Sequence, residues 1–176
     1  MTTTSNLESN NEQSRELRWL QFVNRPMLAR SAAVAVVLGS VLTFINQRGW
    51  IAGSESLQLL PFILVYLIPF AVVLVAQVAG IRQAHLEATD PDEIPSPIRV
   101  IDTMTSHGIP ARAVLIGLVF GSLNAALSVA VEFLYSGDLA ALEVAPLGQA
   151  YVLPLVFGLL SQTISYRRAR YWGVRN

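Results

Sequence analysis

The sequence predicts an all-α membrane protein in which four transmembrane helices form two consecutive two-helix repeats. Hydrophobic residues make up 53% of the 176-residue chain and charged residues only 14%, a composition outside the range of soluble globular domains. The polar residues are also segregated, because they concentrate near the two ends and in one central stretch. The long apolar runs left between them are typical of helices that cross a lipid bilayer.

The repeat is visible as two similar segments. Residues 29–83 contain ARSAAVAVVLGS and YLIPFAVVLVAQ, and residues 111–168 contain ARAVLIGLVFGS and YVLPLVFGLLSQ. The first helices of the two segments align at an offset of 82 positions and the second helices at an offset of 85. A three-residue insertion in the intervening loop explains the difference. We therefore predict an internal repeat whose two copies are joined by a linker at residues 84–110.

Four apolar runs satisfy or approach the roughly 20 residues that a helix needs to cross the hydrocarbon. They cover residues 30–47, 57–81, 112–133 and 144–165. The runs are rich in Ala and Leu and lack the period-two alternation of β-strands. Residues 1–28 are predicted to form a polar tail and an amphipathic juxtamembrane segment, and residues 169–176 a basic C-terminal tail.

The placement of arginine predicts the orientation. Arginines cluster in the N-terminal arm, at the linker and its edges, and at the C-terminus, whereas the other two loops hold one arginine or none. By the positive-inside rule, both termini and the linker are cytoplasmic. Each repeat then enters and leaves on the same side, so the repeats are parallel and related by a pseudo-two-fold axis along the membrane normal. Four helices make a thin wall around a pathway, and we therefore expect a homo-oligomer.

Nothing in the sequence indicates catalysis. The chain has no cysteine, and its two histidines, His85 and His107, fall in the predicted linker without the spacing of a metal site. No phosphate-binding loop or nucleophile elbow is present, and no basic, aromatic-rich stretch indicates nucleic-acid binding. We expect no enzyme activity, no metal and no cofactor. The linker is interpreted as a solvated, proline-rich spacer.

Polar residues within the apolar runs are the candidates for ligand contact, because burying an amide or hydroxyl in hydrocarbon is costly unless it is paired or lines water. The candidate substrate-binding residues are Asn46, Gln77, Gln162, Tyr66, Tyr151, Ser40 and Ser122. Gln77 and Gln162 are related by the repeat and could face each other across the axis. Hydrogen bonding between helices is the open alternative for the glutamines, and close packing is the alternative for Ser40 and Ser122 with their neighbouring glycines.

Four arginines mark the cytoplasmic ends of the predicted helices. Arg30 and Arg112 start the first helices of the repeats, and Arg82 and Arg167 end the second helices. They would attract anions to an inner mouth, although topology determination alone also explains arginines at these positions. Pro69 and Pro154 fall within the second helices and predict helix kinks.

The first repeat resembles a known family. The string VAVVLGSVLTFINQRGW followed by LQLLPFILVYLIPFAVVLVAQVAG is similar to the small nitrate/nitrite transporter (NrtS-like) family, with its Ile-Asn-(His/Gln) and Tyr-Leu-(Val/Ile)-Pro-(Tyr/Phe) steps. These steps are residues 45–47 and 66–70 here, and the second repeat keeps Tyr151 and Pro154 but replaces the Asn step with Leu127-Ser128-Val129.

The resemblance implies transport of nitrate and nitrite by a multi-pass protein of the bacterial inner (cytoplasmic) membrane. Uncharged donors would hold the anion near the pseudo-two-fold axis, because a permeating ion must be bound weakly enough to leave. Two other interpretations stay open from the residues alone. One is a non-transporting membrane scaffold or assembly factor, and the other is a small channel for another anion.

Overall fold

The computed structural model describes residues 22–54, 56–87, 100–137 and 144–171. These residues form six helices and no β-strand, which confirms the prediction of an all-helical chain. The helices are α1 (Arg25–Asn46), α2 (Arg48–Ile51), α3 (Leu59–Glu87), α4 (Val100–Thr105), α5 (Ile109–Ser136) and α6 (Val144–Tyr171). Of these, α1, α3 and α5 are long and apolar enough to cross a membrane. Helix α6 has the same length as α5, 28 residues.

The helices extend beyond the apolar runs at the arginine-rich end of the molecule. Helix α1 begins at Arg25 instead of residue 30, because the side chain of Asn24 caps it by accepting a hydrogen bond from the backbone N of Met27 at 2.9 Å. Helix α3 continues to Glu87, and α5 begins at Ile109. The linker is therefore shorter than the predicted 84–110, and it contains helix α4. Of the predicted tails, residues 1–21 and 172–176 lie outside the described residues.

Helix α3 lies at the centre of the helix bundle. It packs against α1, α5 and α6, and its contact with α6 is the most extensive in the fold. The N-termini of α1 and α5 lie beside the C-termini of α3 and α6, and we call this the inner end. Three clusters of buried apolar side chains fill the inner half; they centre on Val72, Ala76 and Ile116, on Met27, Val78 and Ile81, and on Ala84, Ile109 and Tyr166. The short helix α4 packs against α5 and α6.

Helices α1 and α5 each bury a narrow stripe of residues spaced four apart. The stripes are Met27, Ser31, Ala35 and Gly39 in α1, and Ile109, Ala113, Gly117 and Gly121 in α5. Residues at this spacing lie on one face of a helix, and small side chains in the stripe let the neighbouring helix approach closely. Each member of the first stripe lies 82 positions before its counterpart in the second, which is the offset found by alignment.

Helices α3 and α6 come into backbone contact at Gly80. A Cβ atom placed on Gly80 would lie 2.4 Å from the carbonyl oxygen of Gln162 and 3.0 Å from the backbone N of Tyr166. Both distances are shorter than van der Waals contact, so a larger residue would force the two helices apart. Gly80 therefore sets the separation of the central helix pair.

Candidate functional site

Two of the four predicted arginines line one cavity at the inner end. Arg82 lies near the C-terminus of α3, and Arg112 lies in the first turn of α5. The cavity has a volume of about 70 Å³, and Ala79, Gln83 and Leu86 complete its lining. On this measure about 10 to 15 Å³ is enough to hold one water molecule, so the cavity has room for a ligand of a few heavy atoms. Two of its lining side chains are guanidinium groups, whose charge and planar set of N–H donors suit an anion.

The other two arginines do not line this cavity. The Nη1 atom of Arg167 donates a hydrogen bond to Oγ1 of Thr103 in α4 at 3.1 Å. Arg30 is exposed and lies close enough to Arg168 for their positive charges to interact. The inner end is therefore asymmetric, because the linker helix binds Arg167 whereas Arg82, its counterpart in the first repeat, lines the cavity.

Tyr66 and Tyr151 make the same contact in the two halves of the chain. A Cβ atom placed on Gly39 would lie 2.3 Å from Cδ1 of Tyr66, and one on Gly121 would lie 2.4 Å from Cδ1 of Tyr151. Each ring therefore covers a glycine. The Tyr66 hydroxyl lies 3.5 Å from Oγ of Ser40, and the Tyr151 hydroxyl lies 3.4 Å from Oγ of Ser122. We call these the Ser–Tyr pairs.

The Ser–Tyr pairs lie on the exposed surface of the chain. Ser40 and Ser122 are exposed, and Tyr151 is 36% exposed although its ring covers Gly121. Their hydroxyls therefore remain reachable by a ligand or by a second copy of the chain. Tyr66 precedes Gln77 by eleven residues along α3, which places it about 16 Å further toward the outer end at 1.5 Å per residue.

Gln77 and Gln162 are both buried, but their hydrogen bonding differs. The Nε2 atom of Gln77 donates to Oγ of Ser31 in α1 at 3.2 Å. Gln162 is 0% exposed, and neither its Nε2 nor its Oε1 atom has a hydrogen-bond partner. Gln77 therefore faces α1, and the expectation that the two amides face each other is not met.

The sequence offset explains why Gln162 lacks a partner. Ser31 corresponds to Ala113, which has no hydroxyl. Helices α5 and α6 pack with Ala113 near Gly158, where a Cβ atom on Gly158 would lie 3.9 Å from Cα of Ala113, and with Ile109 against Tyr166. Gln162 lies between these two contacts on α6. Gln77 bonds to the hydroxyl of Ser31, whereas the repeat-related residue Ala113 offers Gln162 no hydrogen-bonding side chain.

A hydrogen-bonded cluster joins the end of α3, the turn before α5, and α6. The hydroxyl of Tyr166 donates to Oε2 of Glu87 at 2.6 Å. The Nδ1 atom of His107 lies 2.7 Å from the same oxygen and 3.1 Å from the Tyr166 hydroxyl. Gln83 donates from Nε2 to the other carboxylate oxygen, Oε1 of Glu87. We call these four residues the Glu87 cluster.

His107 is held in an unusual conformation within this cluster. Its φ of 57° lies in the left-handed region, which residues other than glycine enter at an energetic cost. Its ring stacks on that of Tyr166 with the centroids 4.6 Å apart, and Tyr166 is 1% exposed. Glu87 and His107, which belong to the predicted linker, are therefore hydrogen-bonded side chains that stay partly exposed, at 28% and 24%.

Sequence reasoning missed the Glu87 cluster because the repeat carries no signal for it. Tyr166 corresponds to Ile81 in the first repeat, and Glu87 and His107 come from the joint between the repeats. One feature of the sequence does indicate that Tyr166 is buried. Tyr166 follows Gln162 by one helical turn and therefore lies on the same face of α6.

The remaining candidates give less information. The side chain of Asn46 lies outside the described residues. Pro69 and Pro154 lie inside α3 and α6, which continue through them as single helices, and the kinks stay predictions. Among the described residues, no group of three His, Asp or Glu side chains is placed to hold a metal ion. Comparisons with protein-family models, with curated proteins and with solved structures find no match.

Proposed function

We propose that the chain crosses the bacterial inner membrane four times, as two duplicated two-helix units with both termini in the cytoplasm. Three helices meet the requirements for a span, and α6 equals α5 in length. The recurrence of the buried stripe and of the Ser–Tyr contact at the alignment offsets supports the duplication. The concentration of arginines at the inner end supports a cytoplasmic location for that end.

We propose that this protein transports a small monovalent anion, nitrate or nitrite. The observation that carries the proposal is the cavity between Arg82 and Arg112. Two cations raise the local concentration of anions, and the apolar side chains of Ala79 and Leu86 in the same wall favour a weakly hydrated ion over a strongly hydrated one. The choice of nitrate and nitrite among small anions rests on the family resemblance of the first repeat.

The polar groups along the helices would then contact the anion one after another along its path. Beyond the cavity an anion meets the unpaired amide of Gln162, and further out the hydroxyls of the Ser–Tyr pairs. All of these are uncharged donors, which bind an anion weakly enough for release. Because α3 and α6 touch at Gly80, passage along their shared axis requires a second conformation in which the pair separates, as in alternating access.

Uptake by the purified protein in liposomes tests the proposal. We expect selective uptake of nitrate and nitrite in the presence of chloride. Arg82→Gln and Arg112→Gln should each raise the nitrate KM by about tenfold, because each removes one of the two half-buried positive charges that contact the anion, and a tenfold change corresponds to about 1.4 kcal/mol. Arg25→Gln is the matched control: it removes an exposed arginine at the same end that does not line the cavity, and uptake should be unchanged.

The opposite outcomes identify the alternatives. Sealed vesicles that contain folded protein but take up neither ion would favour a membrane scaffold or assembly factor. Equal uptake of chloride and nitrate would favour a channel for other anions. Uptake that is unaffected by Arg82→Gln and Arg112→Gln would remove the cavity from the transport path.

A further inference from the structure

The Glu87 cluster and the arginine cavity share one residue. Gln83 lines the cavity with Arg82 and Arg112, and its Nε2 atom also donates to Oε1 of Glu87. The two sites are therefore neighbours at the inner end. A change of charge in one site alters the electrostatic potential at the other, and the amide of Gln83 links them directly.

We propose that the Glu87 cluster is a proton-binding site coupled to the cavity, so that one proton is transported with each anion. This inference rests on the proposed function, and it adds the co-transported ion and the residues that bind it. His107 takes up the proton, Glu87 and Tyr166 hold its ring, and Gln83 is a positioning residue between the proton site and the anion site.

The hydrogen bonds identify the atom that takes the proton. The single hydroxyl proton of Tyr166 is directed to Glu87 at 2.6 Å, so the Tyr166 oxygen accepts from His107. The Nδ1 atom of His107 therefore already carries hydrogen, which points to both Glu87 and Tyr166. The free position of the ring is Nε2, and protonation there gives an imidazolium beside a carboxylate. Histidine is the side chain whose unperturbed charge change falls between about pH 5 and 8.

The surrounding charges explain how an anion favours that protonation. Arg82 and Arg112 line the adjoining cavity, Arg167 is bonded to Thr103 on α4, and Asp102 precedes Thr103. Arg168 and Arg170 lie in the last turn of α6. An anion bound in the cavity offsets the charge of Arg82 and Arg112, so the proton binds more readily.

The second histidine is not part of this arrangement. The Nδ1 atom of His85 lies 2.9 Å from the carbonyl oxygen of Ile81, and its ring packs against Phe22 at a centroid distance of 5.4 Å. It therefore contacts the segment that leads into α1, whereas His107 contacts α3 and α6.

Coupling between two binding sites is reciprocal. If a bound anion raises the proton affinity of His107 by some factor, protonation of His107 must raise the affinity for the anion by the same factor.

The membrane potential and the pH gradient distinguish this mechanism from simple permeation. One proton moving with one monovalent anion transfers no net charge. We therefore expect nitrate uptake into liposomes to be driven by an acidic exterior and to respond little to an imposed potential. A pH indicator inside the vesicles should report about one proton entering per nitrate. Lowering the pH from about 8 to about 5 should raise nitrate affinity by at least about fivefold, the lower end of coupling between sites.

Variants assign the coupling to residues. His107→Gln and Glu87→Gln should abolish accumulation driven by the pH gradient while retaining exchange of nitrate for nitrate, which needs no net proton movement. Gln83→Leu should lower the number of protons per nitrate. Glu132→Gln is the matched control, because Glu132 is the other acidic residue of the four long helices and lies near the outer end of α5. Glu132→Gln should change neither the accumulation driven by the pH gradient nor the number of protons per nitrate.

Each result supports or overturns the inference. Wild-type uptake that follows the potential, with no accompanying protons, overturns the coupling and leaves nitrate transport intact. Persistence of proton-coupled accumulation in His107→Gln overturns the assignment to this cluster. If that variant does not fold, the coupling can be tested on detergent-solubilised wild-type protein, which should take up protons when nitrate is added. Nitrate binding without proton uptake would overturn the coupling. Failure of the wild-type protein to bind or transport nitrate overturns both proposals.

Discussion

The amide of Gln77 donates a hydrogen bond to the hydroxyl of Ser31 at 3.2 Å, across the contact between α1 and α3. The corresponding pair in the second half is Gln162 and Ala113, and the amide of Gln162 has no partner. An unpaired amide buried among apolar side chains is costly, so its retention at this depth is consistent with a role in ligand contact. We expect the two glutamines to differ in function: Gln77 joins helices, and Gln162 is available to an anion.

Ala113→Ser should give Gln162 the hydrogen bond that it lacks. We expect the variant to be more stable by about 0.6 kcal/mol, the average for such bonds between membrane helices, and to bind nitrate more weakly because the amide is occupied. Thermal unfolding in detergent and nitrate binding measure the two effects. Ser31→Ala is the reciprocal change and should lower stability without weakening nitrate binding. Unchanged nitrate binding in a stabilised Ala113→Ser would show that Gln162 does not contact the anion.

Gly80→Ala should disturb the central helix pair, because the added methyl group would lie 2.4 Å from the carbonyl oxygen of Gln162. Overpacking of this kind typically costs about 1 to 3 kcal/mol. Gly158→Ala is a graded control, since its Cβ would lie no closer than 3.3 Å to the side chain of Ile116 and 3.9 Å to the backbone Cα of Ala113. We expect thermal unfolding to show a clear loss of stability for the first variant and a smaller one for the second. Equal stability of the two variants would contradict the close contact at Gly80.

The double variant Tyr66→Phe with Tyr151→Phe separates packing from ligand contact. The rings would still cover Gly39 and Gly121, so thermal stability should change little. Loss of both hydroxyls should lower nitrate uptake if they serve as donors to the anion. Ser40→Ala with Ser122→Ala is the companion variant, because it leaves the tyrosine hydroxyls in place. Normal uptake by the double phenylalanine variant would exclude the Ser–Tyr pairs from the path.

The proposed topology can be tested by cysteine labelling without removing native thiols, because the chain contains no cysteine. Ala52→Cys lies at the outer end, after α2, and Val100→Cys begins α4 at the inner end; both positions are exposed. In intact cells a membrane-impermeant thiol reagent should label Ala52→Cys and should label Val100→Cys only after permeabilisation. Labelling of both positions in intact cells would contradict a cytoplasmic inner end.

The sequence was sufficient to predict the four long helices, because each coincides with a long apolar run, whereas the short helices α2 and α4 were not predicted. It placed the helix ends less well. Four of the six residues from Arg82 to Glu87 are polar, yet the segment continues α3, since helical hydrogen bonding does not stop at the limit of the hydrophobic run. The proximity of Arg82 and Arg112 was predicted only as a shared location at the inner end, and the cavity that they line depends on how α3 and α5 pack.

The individual hydrogen-bond partners of the candidate residues depend on how the helices pack. The orientation of a helix about its own axis is set by packing, and it sends Gln77 toward Ser31 instead of toward Gln162. The Glu87 cluster joins side chains that are 59 and 79 positions apart, without a repeat to relate them. Because these residues are far apart in the sequence, neither contact could be predicted from it.

Helix α4 has a consequence for binding stoichiometry. Under the proposed duplication, the corner formed by Arg82 and Arg112 has a counterpart formed by Arg167 and Arg30. One chain has a single linker, so α4 can bind only one of the two repeat-related arginines Arg82 and Arg167, and it binds Arg167 through Thr103. A pair of separate, unlinked units would offer two equal pockets. The fused chain should instead saturate at a single anion per polypeptide.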